Sequence, residues 1–236
     1  MVQQSHDILK SVLTAEVALD AVIDPNAVVI DPALPLLIVD VDEVLGLFMH
    51  GFGRFLGTRG YEFRMDRFAL FQNIFAPGAT EHLDLDSGRV LFDDFFRFAC
   101  DDMEPAPGAI EALAELSRGG AGIVALTNAP DHAREPRTRW MTQHGMDYPL
   151  LINSGLKGLA VAALAARTRR PVAFVDDLLG NLDSVAAAAP SVHRFQMVAD
   201  PRLRDLAPTA PDRHPRIDDW PALRMEIALV LGLTTE

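Results

Sequence analysis

The chain has 236 residues, 49% of them hydrophobic and 23% charged, which suits one large core with or without a smaller insert. Its formal net charge of −12 excludes the broad basic face that displaces counterions from nucleic acid, so an anionic ligand would need a local cation, side chain or metal. Cys100 is the single cysteine; no internal disulfide can form, and with Asp101 and Asp102 beside it the thiol reads as packing and not as a nucleophile.

In chain order, residues 6–23 place Leu9, Val12, Leu13, Val17 and Ala18 at near-helical spacing, which predicts an amphipathic lead helix. Asp7, Lys10, Glu16 and Asp20 interrupt its apolar pattern, so it does not read as a signal peptide, and no run reaches the ~18 apolar residues of a membrane span. A cytoplasmic location is the expectation. Pro25, Pro32 and Pro35 break the chain before the first strand, LLIV at 36–39, whose continuous apolar run is that of a parallel strand covered on both faces. Asp40 and Asp42 follow where this strand would end. Ligands of open α/β sheets bind beyond the carboxyl ends of the strands, but a lone Asp-x-Asp reads first as a solvated acidic turn, so partners elsewhere must decide.

Residues 46–104 differ in composition, holding 11 of the 13 phenylalanines. Phe48, Phe52, Phe55 and Leu56 keep helical spacing, Phe68, Phe71 and Phe75 follow the same face logic, and so do Phe92, Phe95, Phe96 and Ala99. The expectation is a mainly helical insert with its own aromatic core, dividing the chain into a core of 1–45 plus 105–236 and a small domain at 46–104. From Pro105 the pattern alternates: a helix at 108–117, the strand GIVALT at 122–127, a helix at about 131–143, the segment YPLLIN, a helix at about 157–166, the strand VAFVD at 172–176, a helix near 180–188 and a further strand at 193–198. Alternation of this kind predicts a doubly wound, Rossmann-like parallel sheet. Residues 200–219 read as a loop before a closing helix near 221–232.

Three of these strands end in polar groups. LLIV leads to Asp40 and Asp42, GIVAL to Thr127 and Asn128, and VAFV to Asp176 and Asp177, with Asn181 at the start of the next helix and Lys157 between the last two strands. One edge of one sheet would therefore collect carboxylates, a hydroxyl, an amide and a cation.

In these positions the chain resembles the haloacid dehalogenase-like superfamily, most of whose members are magnesium-dependent phosphatases. DVDEVL is similar to its first motif, ALTN to the second, Lys157 in SGLKG to the third and FVDDLLGN to the acidic fourth. The likeness covers about 36–190 and places the Phe-rich segment like a C1-type cap; Glu43 stands where glycine is often found. The resemblance implies that Asp40 is a nucleophile forming an aspartyl-phosphate and that Asp42 is the general acid and base, its backbone carbonyl joining the metal shell. It implies that Asp40, Asp176 and Asp177 hold Mg²⁺ with Asn181 supporting that loop. Thr127 and the backbone N–H of Asn128 would bind phosphoryl oxygens, and Lys157 would compensate charge. Each step suits a phosphate monoester, because a divalent cation removes the repulsion between an anionic ester and an attacking carboxylate.

Arg134, Arg137 and Arg139 are alternative sources for the cation. His132, His144 and Asp183 read as surface residues, and Glu43 as an exposed turn carboxylate. The expected ligand is a small phosphorylated metabolite, with no nucleic acid and no membrane as partner; oligomeric state is open, a homodimer included. A mutase or a dehalogenase on the same scaffold and a silent binding protein are the alternatives. Asp42 speaks against dehalogenation, which needs no leaving-group proton, and the complete acidic set speaks against a silent scaffold.

Overall fold

The structure is a computed structural model that describes residues 27–234. The lead helix expected over 6–23 lies outside the described residues. Five parallel strands form the central sheet in the order β5-β4-β1-β6-β7: β1 (Leu36–Val39), β4 (Gly122–Thr127), β5 (Leu150–Ile152), β6 (Val172–Asp176) and β7 (His193–Gln196). The doubly wound parallel sheet read from the alternation is thus present. β1 lies between β4 and β6, with Val39 opposite both Ala125 and Val175.

Both faces are covered, which explains the unbroken apolar strands. Leu36, Ile38, Val124, Leu126 and Phe174 point to one side, where α5 (Gly158–Ala165) and α6 (Leu179–Ala188) supply Val161, Leu164, Leu182 and Val185. Leu37, Val39, Ile123, Ala125 and Val175 point to the other, against α3 (Ala109–Arg118), α4 (Arg134–Gln143) and α7 (Trp220–Leu231) through Leu113, Trp140, Trp220 and Ile227. The side chain of Asp219 caps α7 by accepting from the Ala222 N–H at 3.0 Å, and Gly232 ends the helix with φ of 66°. Residues 200–219 carry no helix or strand.

Between β1 and β4 the chain forms α1 (Phe48–Thr58), a two-stranded antiparallel sheet of β2 (Glu62–Phe63) and β3 (Ile74–Phe75), and α2 (Leu85–Phe98). α1 and α2 carry the phenylalanine faces the periodicity predicts, with Phe48 against Phe52 at 5.6 Å between ring centroids and Phe92 edge-on to Phe96 at 4.8 Å. This aromatic cluster is continuous with the core beneath the α3–α4–α7 face of the sheet. The helix expected through Phe68, Phe71 and Phe75 is absent. Residues Phe71–Asn73 make a single 3₁₀ turn and Phe75 lies in β3. Asn73 is the physical reason: its side-chain amide donates to the carbonyls of Arg67 at 2.9 Å and Ala69 at 2.7 Å, groups a continuing helix would have used. Among the described residues no helix is long and apolar enough to cross a membrane.

Candidate active site

Sheet register builds the site. Because Val39 pairs with Val175, the next residues out are Asp40 and Asp176, and the Asp40 N–H donates to the Val175 carbonyl at 3.0 Å. Lys157, at the start of α5, reaches under both: its Nζ lies 2.7 Å from Asp40 Oδ1 and 2.8 Å from Asp176 Oδ2. Asn181 on α6 donates to Asp176 Oδ1 at 2.9 Å and to Oδ2 at 3.1 Å, and the Leu178 N–H adds a bond to Oδ1 at 2.9 Å. Asp177 follows on the same turn, its backbone carbonyl accepting from Gln196 Nε2 at 3.0 Å. Asp40, Asp176 and Asp177 are all buried, and one ligand oxygen from each lies within 4.8 Å of the others. The structure thus brings Asp40, Lys157, Asp176, Asp177 and Asn181 together from three separate segments of the chain.

Asp42 stands beside this cluster. Its Oδ1 pairs with Nη2 of Arg137, and its Oδ2 lies 3.5 Å from the Thr127 hydroxyl. Thr127 Oγ1 also accepts from the Ala129 N–H at 3.3 Å. Asn128 is exposed and its side chain turns aside, donating to the Gly155 carbonyl at 2.9 Å and accepting from Asn153 Nδ2 at 2.7 Å. Asn153, Gln196 and Arg137 are buried polar residues that the strand-end pattern does not mark as site residues, Arg137 standing in the sequence only as an alternative cation to Lys157.

Glu43 corrects the sequence reading. It is not an exposed turn carboxylate but buried, with φ of 58°, the left-handed backbone that glycine would adopt more easily. Its Oε1 accepts from the Met49 N–H at 2.7 Å, in the first turn of α1, and its Oε2 has no partner. Asp183 is half-buried and accepts from His214 Nε2 at 2.9 Å and from Arg213. His132 pairs with Asp93 of α2 at 3.3 Å, and His144 bonds the Trp140 carbonyl at 2.8 Å.

The electrostatics follow from burying three carboxylates around one ammonium. Burial pushes Asp40 up to about 7, with Lys157 opposing and Asp176 and Asp42 adding to the rise. Burial, then Asp176 and Asp40, hold Asp177 well above the ordinary carboxylate range. For Lys157 burial acts downward, but Asp176 and Asp40 outweigh it and hold the ammonium above its ordinary value. Burial pushes Glu43 up to about 8 and the Cys100 thiol up to about 12, which leaves Cys100 without thiolate character.

Three carboxyl groups against one ammonium leave the cluster short of cations whenever they ionise. The donors are hard oxygens, the set that Mg²⁺ prefers, so the residues present fit that ion.

No protein-family model and no curated protein matches the sequence. Solved structures do. A HAD family hydrolase from Deinococcus radiodurans, with bound phosphate and sodium, is 14% identical at a TM-score of 0.55 over 87% of this chain and 100% of that one. A HAD-hydrolase from Bacillus subtilis, bound to magnesium, is 14% identical at 0.57 over 85% and 100%. A haloacid dehalogenase-like hydrolase from Burkholderia xenovorans is 16% identical at 0.56 over 85% and 99%. The chain therefore has the haloacid dehalogenase-like fold, a Rossmann-like parallel sheet with a largely helical insert after the first strand.

Proposed function

We propose that this protein is a magnesium-dependent phosphomonoester hydrolase that acts through an aspartyl-phosphate on Asp40. The observation that carries the reading is the convergence of Asp40, Asp176 and Asp177 around Lys157 at the carboxyl ends of β1 and β6. Structural neighbours bound to phosphate and to magnesium support it, since they share the fold that builds this edge. Asp40 and Asp177 would hold the ion together with the backbone carbonyl of Asp42. Asp176 would lie closest to Lys157 and Asn181, which already take up both of its oxygens. Bound there, Mg²⁺ would neutralise the excess carboxylate charge and draw electron density from the phosphoryl oxygens.

The chain's own groups do the rest. A carboxylate oxygen of Asp40 attacks phosphorus, the bond to the leaving oxygen breaks, and Asp42 gives that oxygen its proton. Lys157 would favour the ionised form of Asp40 against the burial that raises it, while Thr127 Oγ1 and the Asn128 N–H at the end of β4 would bind the phosphoryl oxygens. Water then attacks phosphorus, Asp42 takes its proton, and inorganic phosphate leaves as the Asp40–phosphorus bond breaks. The substrate class is a small phosphorylated metabolite. A panel of phosphorylated metabolites assayed with Mg²⁺ and with chelator tests the proposal: turnover should require Mg²⁺ and disappear in excess EDTA, and full activity in EDTA would overturn it.

A further inference from the structure

Arg137 of α4 is completely buried, and its contacts are poor ones for a buried cation. Nη2 pairs with Asp42 Oδ1, Nη1 finds only the Met103 thioether at 3.3 Å, and Nε has no hydrogen-bond partner. A guanidinium has five N–H donors and sulfur is a weak acceptor, so desolvation here is compensated only in part. A methionine or leucine would fill the space against Phe96, Met103 and Trp140 at no such cost. Stability alone does not explain the residue.

Its effect on Asp42 does. Arg137 holds one oxygen of that carboxylate, and Thr127 Oγ1 approaches the other at 3.5 Å, so the group is fixed between α4 and the end of β4. The guanidinium is itself held in place by Phe96 of the insert, 4.9 Å beneath it, and by Trp140 at 5.9 Å. We propose that Arg137 is a positioning residue: it sets the orientation in which Asp42 meets the leaving oxygen, and through Phe96 it ties that orientation to the seating of the insert. This rests on the phosphatase reading, in which Asp42 carries the leaving-group proton, and it concerns the placement of that group.

The test compares an alkyl phosphate with an aryl phosphate, whose leaving group needs little protonation, in the presence of Mg²⁺. Arg137→Gln should lower kcat/KM for the alkyl phosphate about 10–100-fold, the scale of a misplaced catalytic group, while kcat/KM for the aryl phosphate, which reports only the steps up to departure of the leaving group, stays within about 3-fold. Arg137→Lys should recover part of the loss. In an Asp42→Asn background, Arg137→Gln should cost nothing further on either substrate, since the group it orients no longer carries a proton. Equal losses of kcat/KM on both substrates, or a full additional loss in the Asp42→Asn background, would overturn the inference. So would failure of both Arg137 variants to fold by circular dichroism, which would make the residue structural. A wild-type protein that turns over neither phosphate would sink the phosphatase reading itself and this inference with it; an active wild type with the wrong variant pattern sinks only the inference.

Discussion

Asp40 and Glu43 are three residues apart, both are buried carboxylates, and their surroundings give them different chemistry. Asp40 is held beside the Lys157 ammonium, which favours the ionised form a nucleophile needs. Asp40→Asn keeps size and shape but removes the proposed nucleophile, so no phosphoenzyme should be trapped with a radiolabelled substrate and turnover should cease; a phosphoenzyme in the variant would place the covalent step elsewhere. Glu43 has no cation among its hydrogen-bond partners, only the Met49 N–H on one oxygen, and burial raises it to about 8, with Asp200 and Asp42 adding to the rise. Its folded value lies above the ordinary 4.5, so the folded state binds the extra proton. That contribution to stability is complete below about 4.5 and is lost as pH rises through about 8. Asp40 and Asp177 act in the same direction. Glu43→Gln stays neutral at every pH and should therefore flatten the fall, removing up to about 1.4 kcal/mol per pH unit across that window. Thermal melts from pH 5 to 9 in EDTA check this; an unchanged slope would mean that Glu43 is ionised in the folded protein.

At the scale of elements, Lys157 depends on how closely α5 approaches α6. Gly158 follows Lys157 directly, and a Cβ there would stand 2.4 Å from the Ser184 carbonyl oxygen, a backbone atom that cannot simply rotate away. Gly158→Ala should push the start of α5 outward, costing about 1–3 kcal/mol by overpacking and drawing Lys157 from its two carboxylates. A lower melting point together with weaker catalysis is expected, and a variant with full stability would show that the helices part without cost. Elements of this kind were largely legible. β1, β4 and β6 have the bounds their apolar runs predict, because strands covered on both faces leave an unbroken signal, and the strand-end residues then follow from register. What the sequence did not carry is burial made by long-range packing. Arg137 meets Asp42 from 95 positions away, and Glu43 is covered by α1 and by the chain near Ala199, whose N–H bonds its carbonyl at 2.8 Å. The false helix through Phe71 failed for the opposite reason, since a single local amide, Asn73, took the carbonyls that periodicity had assigned to a helix.

For the molecule as a whole, the chain carries a formal charge of −12, and its densest buried acidity is at the ends of β1 and β6. Repulsion there opposes the closed fold unless protons or a cation relieve it. Protons can do so at neutral pH, because Asp40 is pushed up to about 7 and Asp177 is also raised, burial leading in both cases. A divalent ion bound there, as proposed, would compete with those protons for the same oxygens, so its binding would release them and strengthen as pH rises. Stabilisation by a ligand of the folded state grows as RT ln(1 + [L]/Kd), about 2.7 kcal/mol at a hundredfold excess over Kd. The rise in melting temperature on adding Mg²⁺ should therefore be larger at pH 8 than at pH 6 at equal ionic strength. Ions attracted merely to the acidic surface would also stabilise the fold, but screening by added monovalent salt would remove that effect, and the variant Asp177→Asn would retain it. A shift that survives salt, grows with pH and is lost in Asp177→Asn places the ion at Asp40 and Asp177, the carboxylates proposed to hold it. A shift that persists undiminished in Asp177→Asn places it elsewhere, and the account of this sheet edge as a metal centre would fall.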